Sequence, residues 1–482
     1  MKYFSQENIL ISFWFITLLS INSLYTYTLQ FEPLDFYLSS FSIEKIFSIF
    51  NLIRFYIPFL LTIVLGLIIL SNKIKKPEII IVLFGIYYLW QLFALFISDR
   101  YLEIPDVQLS NFNKSYSSHI SSAWDNLNLV SCAVNLLLIF YISKNLNLEK
   151  FNKKILIITI IFIGFISFYF TYHLMVESIQ NNLKFIYGTD TLNPFEKKFE
   201  QANPRITGIS RMLLIIFFLI FCYLLKKKNK IILYILGALI IVLIYKMQAR
   251  GTLVGVALSF ILFFFFTTIT LKKKLQYFVL LVIIPITLFE SYYLIKSYYL
   301  IKKDLKFTNH INKIDNFNPK NRLVSLGPDT SGRLTIWKNT LFVIKEKKII
   351  LGYGPQADRA LLLDFKNKYQ SDDTFIDENR NRFIYDNNAS NAFLYAYLCG
   401  GIIGLFSIVL IYIATINLLI KKIFFEKIFS NKYPLQMFLV ILLVYLCFRG
   451  FFENSISLFG IDFVFFILAF IMLNNKNLTK QI

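Results

Sequence analysis

Four arginines stand next to or near glycines and far apart in the chain: Arg205, Arg250, Arg333 and Arg449. A guanidinium keeps its charge at any accessible pH, and its planar fork suits phosphate oxygens. Arg205 comes three residues before Gly208. Arg250 is followed by Gly251 at the start of an apolar run. There the free N–H groups of a helix N-terminus favour an anion, and the glycine lets a ligand approach the backbone. Arg333 has Trp337 one helical turn on, and Arg449 has Glu453. Each also has a purely structural reading. Arg205 and Arg250 could anchor helix ends among lipid headgroups. Arg333 and Trp337 are spaced for a cation–π pair, and Arg449 and Glu453 for an intrahelical ion pair.

A second informative stretch runs from Ser390-Asn391 through Gly400-Gly401-Ile-Ile-Gly404. It lies where a long polar segment meets an apolar run. The glycines at 400, 401 and 404 suit close packing of one helix on another. Other chemistries find little support. The three histidines, His119, His173 and His310, have no metal-ligand spacing, and Cys132, Cys222, Cys399 and Cys447 lie in or beside apolar runs. No disulfide, metal site or cofactor is expected. Neither a nucleotide-binding glycine loop nor a Ser-His-Asp arrangement is evident.

These residues need a scaffold, and the composition defines it. Of 482 residues, 56% are hydrophobic and only 16% charged, with 53 Phe and 29 Tyr. Mean hydropathy is +0.59. Apolar runs long enough to cross a bilayer recur throughout, so the expected fold is an all-α integral membrane protein. Helical spans are expected near 9–27, 49–71, 79–98, 124–143, 154–176, 209–225, 230–247, 251–270, 275–299, 391–418, 433–451 and 456–473, about twelve in all. The first lacks a small-residue cleavage site and reads as a span, not a removed signal peptide. Short connections rich in lysine, such as Lys226-Lys227-Lys228 and Lys272-Lys273-Lys274, alternate with longer ones. By the positive-inside rule the lysine side and both termini are cytoplasmic. The net charge of +21 is then largely topological and argues for no nucleic-acid partner.

The chain divides into residues 1–208, with five spans and their outer loops; 209–299, with four more; 300–390, one large outer loop; and 391–482, the last three spans. The large loop has helical periodicity from Gly332 through Leu334, Trp337, Leu341 and Ile344, with Thr330 or Ser331 as a cap. Gly352-Tyr353-Gly354-Pro355 forces a turn, and a second short helix is expected near Asp358–Tyr369. One loop far longer than the others suggests use. Topology puts all four arginines on the outer side with it, where an anionic ligand could sit near headgroup level.

Taken in order, these motifs resemble the O-antigen ligase/polymerase superfamily, the Wzy- and WaaL-type membrane enzymes. Asn203-Pro-Arg205-Ile-Thr-Gly208 resembles the family's Arg-x-x-Gly. Gln248-Ala-Arg250-Gly251 resembles its Ser-Arg-Gly. Ser331-Gly332-Arg333 with Trp337, then Leu351-Gly352-Tyr353-Gly354, resembles the start of its large periplasmic loop. Ser390-Asn391 through Gly404-Leu405 resembles the His-Asn and Gly-Ile-Ile-Gly that end it. The likeness covers about 200–405. Serine at 390 departs from the histidine usual in the ligases and favours the polymerase branch.

The resemblance implies a GT-C-like bundle of the bacterial inner membrane with a periplasmic loop containing short helices. It implies a metal-independent, inverting glycosyltransferase that polymerises lipid-linked repeat units of O-antigen or a related surface polysaccharide. Donor and acceptor are undecaprenyl-pyrophosphate-linked glycans, the surroundings are membrane lipid, and a chain-length regulator fits as a further partner. It assigns catalytic roles to Arg205, Arg250, Arg333, Ser390 and Asn391. Trp337, Tyr353, Arg449, Glu453, Gly208 and Gly251 are expected to bind substrate. Glu453 and Asp386 are the acidic residues within conceivable reach to serve as base. Two alternatives stay open: a ligase joining polymer to lipid A core or glycan to protein, and a flippase or transporter for the same lipid-linked sugar.

Overall fold

A computed structural model describes residues 78–97, 206–226, 231–246, 250–292, 333–355, 357–358, 361–362, 389–429, 434–453 and 461–474. The expected spans near 9–27, 49–71, 124–143 and 154–176 lie outside these residues, as do Arg205, Ser331, Gly332 and Asp386. Among the described residues every regular element is helical and there is no strand. The helices are α1 (Ile79–Ile97), α2 (Ile206–Lys226), α3 (Ile231–Lys246), α4 (Arg250–Phe266), α5 (Leu271–Tyr292), α6 (Arg333–Glu346), α7 (Ala392–Ile420), α8 (Pro434–Gly450) and α9 (Ile461–Asn474). All of them but α6 fall on stretches expected to be spans, and α6 falls on the expected loop helix. By length and composition, α1, α5 and α7 with its continuation to Phe425 can each cross a membrane.

The chain forms two compact units. One comprises Met1–Thr159, Asp329–Glu426 and Leu442–Ile482; the other comprises Ile160–Pro328 and Lys427–Ile441. In the second unit α2 is apolar on every side and correspondingly buried, from Met212 through Phe218 and at Phe221, Cys222, Leu224 and Leu225. Phe217 and Phe221 of α2 meet Phe260 of α4, and Phe221 also meets Phe263, with centroids 5.0–6.3 Å apart. Lys274, expected only as a topological charge, is buried. Its Nζ donates to the carbonyls of Phe264 (2.6 Å) and Thr267 (2.8 Å), closing the end of α4. A cation there satisfies free carbonyls and complements the helix dipole. Pro285 has no N–H to offer Leu281, and α5 widens into a π turn over Val279–Ile283.

In the first unit α1 packs most extensively on α7. Its exposed residues Ile79, Val82, Ile86, Leu89, Phe93 and Phe96 recur every three or four positions and form a lipid-facing stripe. Phe84 and Tyr88, on the opposite face, meet Phe463 of α9 at 4.8 and 5.7 Å.

Helix α7 differs most from expectation. It is not one straight span. Gly401 has φ 58° and ψ −147°, outside helical geometry. In a continuous helix Phe393 and Tyr412 would stand about 28 Å apart along the axis. Their ring centroids are 4.8 Å apart. The carbonyl of Ala396 packs directly on Gly404. Thus α7 is a helical hairpin: a short arm, residues 392–400, folds back at Gly401 against the start of a long arm that runs to Ile420 and on through a π turn over Lys421–Phe425. The long arm alone, from 402 to 425, is about 36 Å long, enough for the ~30 Å hydrocarbon core.

Candidate functional site

The break at Gly401 frees backbone groups, and the segment after α6 fills them. Ile402 N donates to Ile350 O (3.0 Å), Tyr353 N to Leu398 O (3.0 Å) and Gly354 N to Cys399 O (2.9 Å). Trp90 of α1 donates through Nε1 to Leu351 O at 3.1 Å. A side chain at Gly352 would come within 2.5 Å of Cys399 O, and one at Gly401 would overlap Ile350 O. Glycine is therefore required on both sides of the junction. Gly400 and Gly404 face Trp90, Gln91 and Tyr87 of α1, so helix packing accounts for those two. It does not account for Gly401, which turns the chain.

Helix α6 runs beside the short arm. At one end Trp337 Nε1 donates to Ser390 O (3.3 Å); at the other Tyr397 OH donates to Ile349 O (2.9 Å). Between them Val343, Ile349, Ala357, Leu361, Leu362, Ala389, Tyr395, Leu398 and Cys399 form one apolar core, with Tyr353 packed against it. Asp358, buried, accepts from Ala389 N at 3.0 Å and ties the segment after α6 to the loop's last residues.

At the N-terminus of the short arm three distant segments meet. Arg333, the first residue of α6, forms an ion pair with Glu453, just past α8; their side chains are 24% and 33% exposed, so both reach solvent. Asn391 caps the arm: its Oδ1 accepts from Phe393 N (2.9 Å) and Leu394 N (3.0 Å). Its Nδ2 donates to Phe451 O (2.9 Å). Ser390 has φ 45° and is buried at 3%. The ring of Trp337 lies 6.2 Å from that of Phe452, and the rings of Phe393, Tyr412 and Phe451 pack at tilted and edge-on angles with centroids 4.8–5.8 Å apart. A charged pair open to solvent thus stands beside the aromatic turn of Phe451 and Phe452 that leads into Glu453. It can present a cation to an anionic group and a carboxylate to a hydroxyl.

The structure brings together Arg333, Trp337, Ser390, Asn391 and Glu453. It corrects the expected partner of Arg449. That guanidinium pairs with Asp462 of α9 at 2.9 Å, the side chains being 13% and 2% exposed. Helix α8 ends at Gly450, and the turn that follows carries Glu453 away to Arg333 while its backbone N–H still donates to Arg449 O. Both charges of the 449–462 pair sit where helix dipoles favour them, a cation in a last turn and an anion in a first turn. The expected Arg333–Trp337 pairing also gives way, Arg333 going to Glu453 and the indole to Ser390 O. Tyr353 belongs to the loop core. Gly208 lies in the first turn of α2, and Arg250 opens α4. An added Cβ at Gly251 would meet nothing within 4 Å. Sequence reasoning missed Asp358 and Asp462. An acidic residue at the edge of an apolar run was the available signal for Asp462.

With every regular element among the described residues helical, and three helices long and apolar enough to cross a bilayer, the chain is a membrane protein. Residues 235–409 match the family model described as O-antigen ligase, a match over about a third of the chain that supports a likeness to the O-antigen ligase/polymerase superfamily. The match takes in Arg250, Arg333, Trp337, Tyr353, Ser390, Asn391 and the turn at Gly401. It supports surface-glycan assembly in general terms and does not separate polymerase from ligase. No curated protein and no solved structure matches the chain.

Proposed function

We propose that this protein polymerises lipid-linked repeat units of O-antigen or a related surface polysaccharide on the periplasmic face of the inner membrane. The observation that carries the reading is the Arg333–Glu453 pair, where α6 of the large loop meets the loop's last residues and the turn after α8, within or beside a domain matched to this superfamily. In the proposed reaction the acceptor hydroxyl oxygen bonds to the anomeric carbon of the donor glycan. The bond from that carbon to the pyrophosphate breaks, and the lipid pyrophosphate leaves with the electron pair. Arg333 turns from Glu453 to the leaving diphosphate, and the freed Glu453 carboxylate takes the hydroxyl proton. Fixed cations aimed at developing charge commonly supply several kcal/mol in such sites. Arg205 and Arg250, carried over from the family motifs, are proposed as further cations for the leaving group.

Serine in place of the ligase histidine favours polymerisation. The Ser390 hydroxyl is a poor base and its side chain is buried. The deciding experiment is a deletion strain complemented with variants, read on lipopolysaccharide gels beside an analysis of lipid-linked oligosaccharide. Loss of the protein should leave core lipid carrying a single repeat unit. Arg333→Ala and Glu453→Gln should each lower chain extension by about a hundredfold with normal membrane insertion. Bare core with accumulating lipid-linked polymer would identify a ligase instead, and a normal ladder in both variants would remove the pair from the chemistry.

A further inference from the structure

Helix α6 has an exposed face that the reaction does not use. Ile336, Thr340 and Val343 are buried, facing the loop core. Leu334, Lys338, Leu341 and Lys345 recur at helical spacing on the other side and are all exposed, with Phe342 beside them. Leu334 and Leu341 are 48% and 55% exposed. The helix then stops in a tight turn: Lys348 has φ 48°, and Ile349 N donates back to Ile344 O at 3.3 Å. This turn delivers Ile350 and Leu351, exposed at 62% and 46%, straight to the bend of α7.

What covers this face follows from where the bend lies. The short arm of α7 shows no exposed side chain. From Ile402 onward the long arm exposes Ile402, Ile403, Phe406, Ile413, Ile416 and Ile420. That arm is the part long enough to cross the bilayer, so its lipid-facing surface begins at the bend. Ile350 is hydrogen-bonded to Ile402 there, and Leu341 is less than two helical turns upstream of the end of α6. The exposed apolar surface of α6 and Ile350–Leu351 therefore continues the lipid-facing surface of α7. Lys338 and Lys345 are exposed on this same face of α6, and the exposed Lys348 follows in the turn. Apolar side chains interleaved with lysine are the pattern of a helix lying in a membrane interface, with stems in the acyl boundary and ammonium groups on phosphates.

We infer that α6 with residues 348–351 is an interfacial anchor seated on the bilayer surface. Leu334, Leu341, Phe342, Ile350 and Leu351 enter the acyl boundary, and Lys338, Lys345 and Lys348 bind phospholipid phosphates. The large loop is thereby moored to lipid at its start. This inference is independent of the proposed reaction, since it concerns bulk phospholipid and not the glycan donor.

The test places a photo-crosslinking benzoylphenylalanine at Leu341 or at Ile350 in the full-length protein, with Asn339 on the polar flank of α6 as reference. Each variant is reconstituted in nanodiscs of phosphatidylcholine and phosphatidylglycerol, and the adducts are identified by mass spectrometry. Phospholipid adducts are expected at 341 and 350 and not at 339. Replacing Lys338, Lys345 and Lys348 with Gln should lower the preference of the 341 adduct for phosphatidylglycerol, roughly fivefold per lysine removed. Adducts to a second copy of the chain at 341 and 350, or no lipid adduct at either, would overturn the anchor. Each of these outcomes stands whether or not the protein transfers glycan.

Discussion

Replacing Gly401 with alanine tests the hairpin most directly. Alanine carries its Cβ into the Ile350 carbonyl and must hold a backbone conformation that L-residues avoid. The conformational term is about 1–3 kcal/mol. The clash is relieved only by parting the 350–354 segment from α7, which breaks three backbone hydrogen bonds: Ile402 N to Ile350 O, Tyr353 N to Leu398 O and Gly354 N to Cys399 O. At about 1 kcal/mol net for each bond, the total is about 4–6 kcal/mol. That is a large share of the 5–15 kcal/mol typical of a folded domain, and enough to release the segment locally. Hydrogen exchange in detergent or nanodiscs reads it. The amides of Tyr353 and Gly354 should lose about a thousandfold of protection or more, since each 1.4 kcal/mol is tenfold. Those of the long arm beyond Ile402 should remain protected, and chain extension should fail. Full protection at 353 and 354 in the alanine variant would refute the hairpin and the junction built on it.

Three further outcomes follow from the same contacts. Arg449→Ala strands the Asp462 carboxylate in a buried position and should lower thermal stability by about 3–5 kcal/mol, while Arg449→Met with Asp462→Leu should recover most of it in the same melt. Asn391→Ala removes the cap of the short arm at a cost of about 1 kcal/mol; Asn391→Asp keeps the capping oxygen and should melt close to wild type, though it loses the donation to Phe451. Gly251→Ala adds a methyl group in open space inside a helix and should leave stability equal or up to about 1 kcal/mol higher. Reduced chain extension in that stable variant, measured on gels, would mark Gly251 as a point of ligand approach.

Much of the helical frame was legible because apolar runs of membrane length have few alternatives. Even α6 could be read, from the spacing of Leu334, Trp337 and Leu341. The meeting of Arg333, Ser390 and Asn391 was foreshadowed only by their lying in or beside one loop. What could not be read depends on partners distant in sequence. Gly400-Gly401-Ile-Ile-Gly404 looks the same in a packed straight helix and in a bent one. Only the docking of Ile350–Gly354 decides, by satisfying the groups a bend exposes. Arg449 and Glu453 have the right spacing for a pair on one helix, but the helix ends between them at Gly450. Once the turn intervenes, spacing no longer fixes direction, and each residue pairs with a charge supplied by another segment.

The bend in α7 also bears on biogenesis. A nascent stretch this greasy would thread into lipid as an uninterrupted rod, because nothing in its own residues satisfies an opened backbone. Folding back becomes favourable only when the glycine turn behind α6 is in place and Trp90, 261 positions earlier, has come alongside. Maturation of this region is therefore a late event, set by contacts between pieces made at very different times during translation. A protein arrested before that step would be inserted, full length and inert.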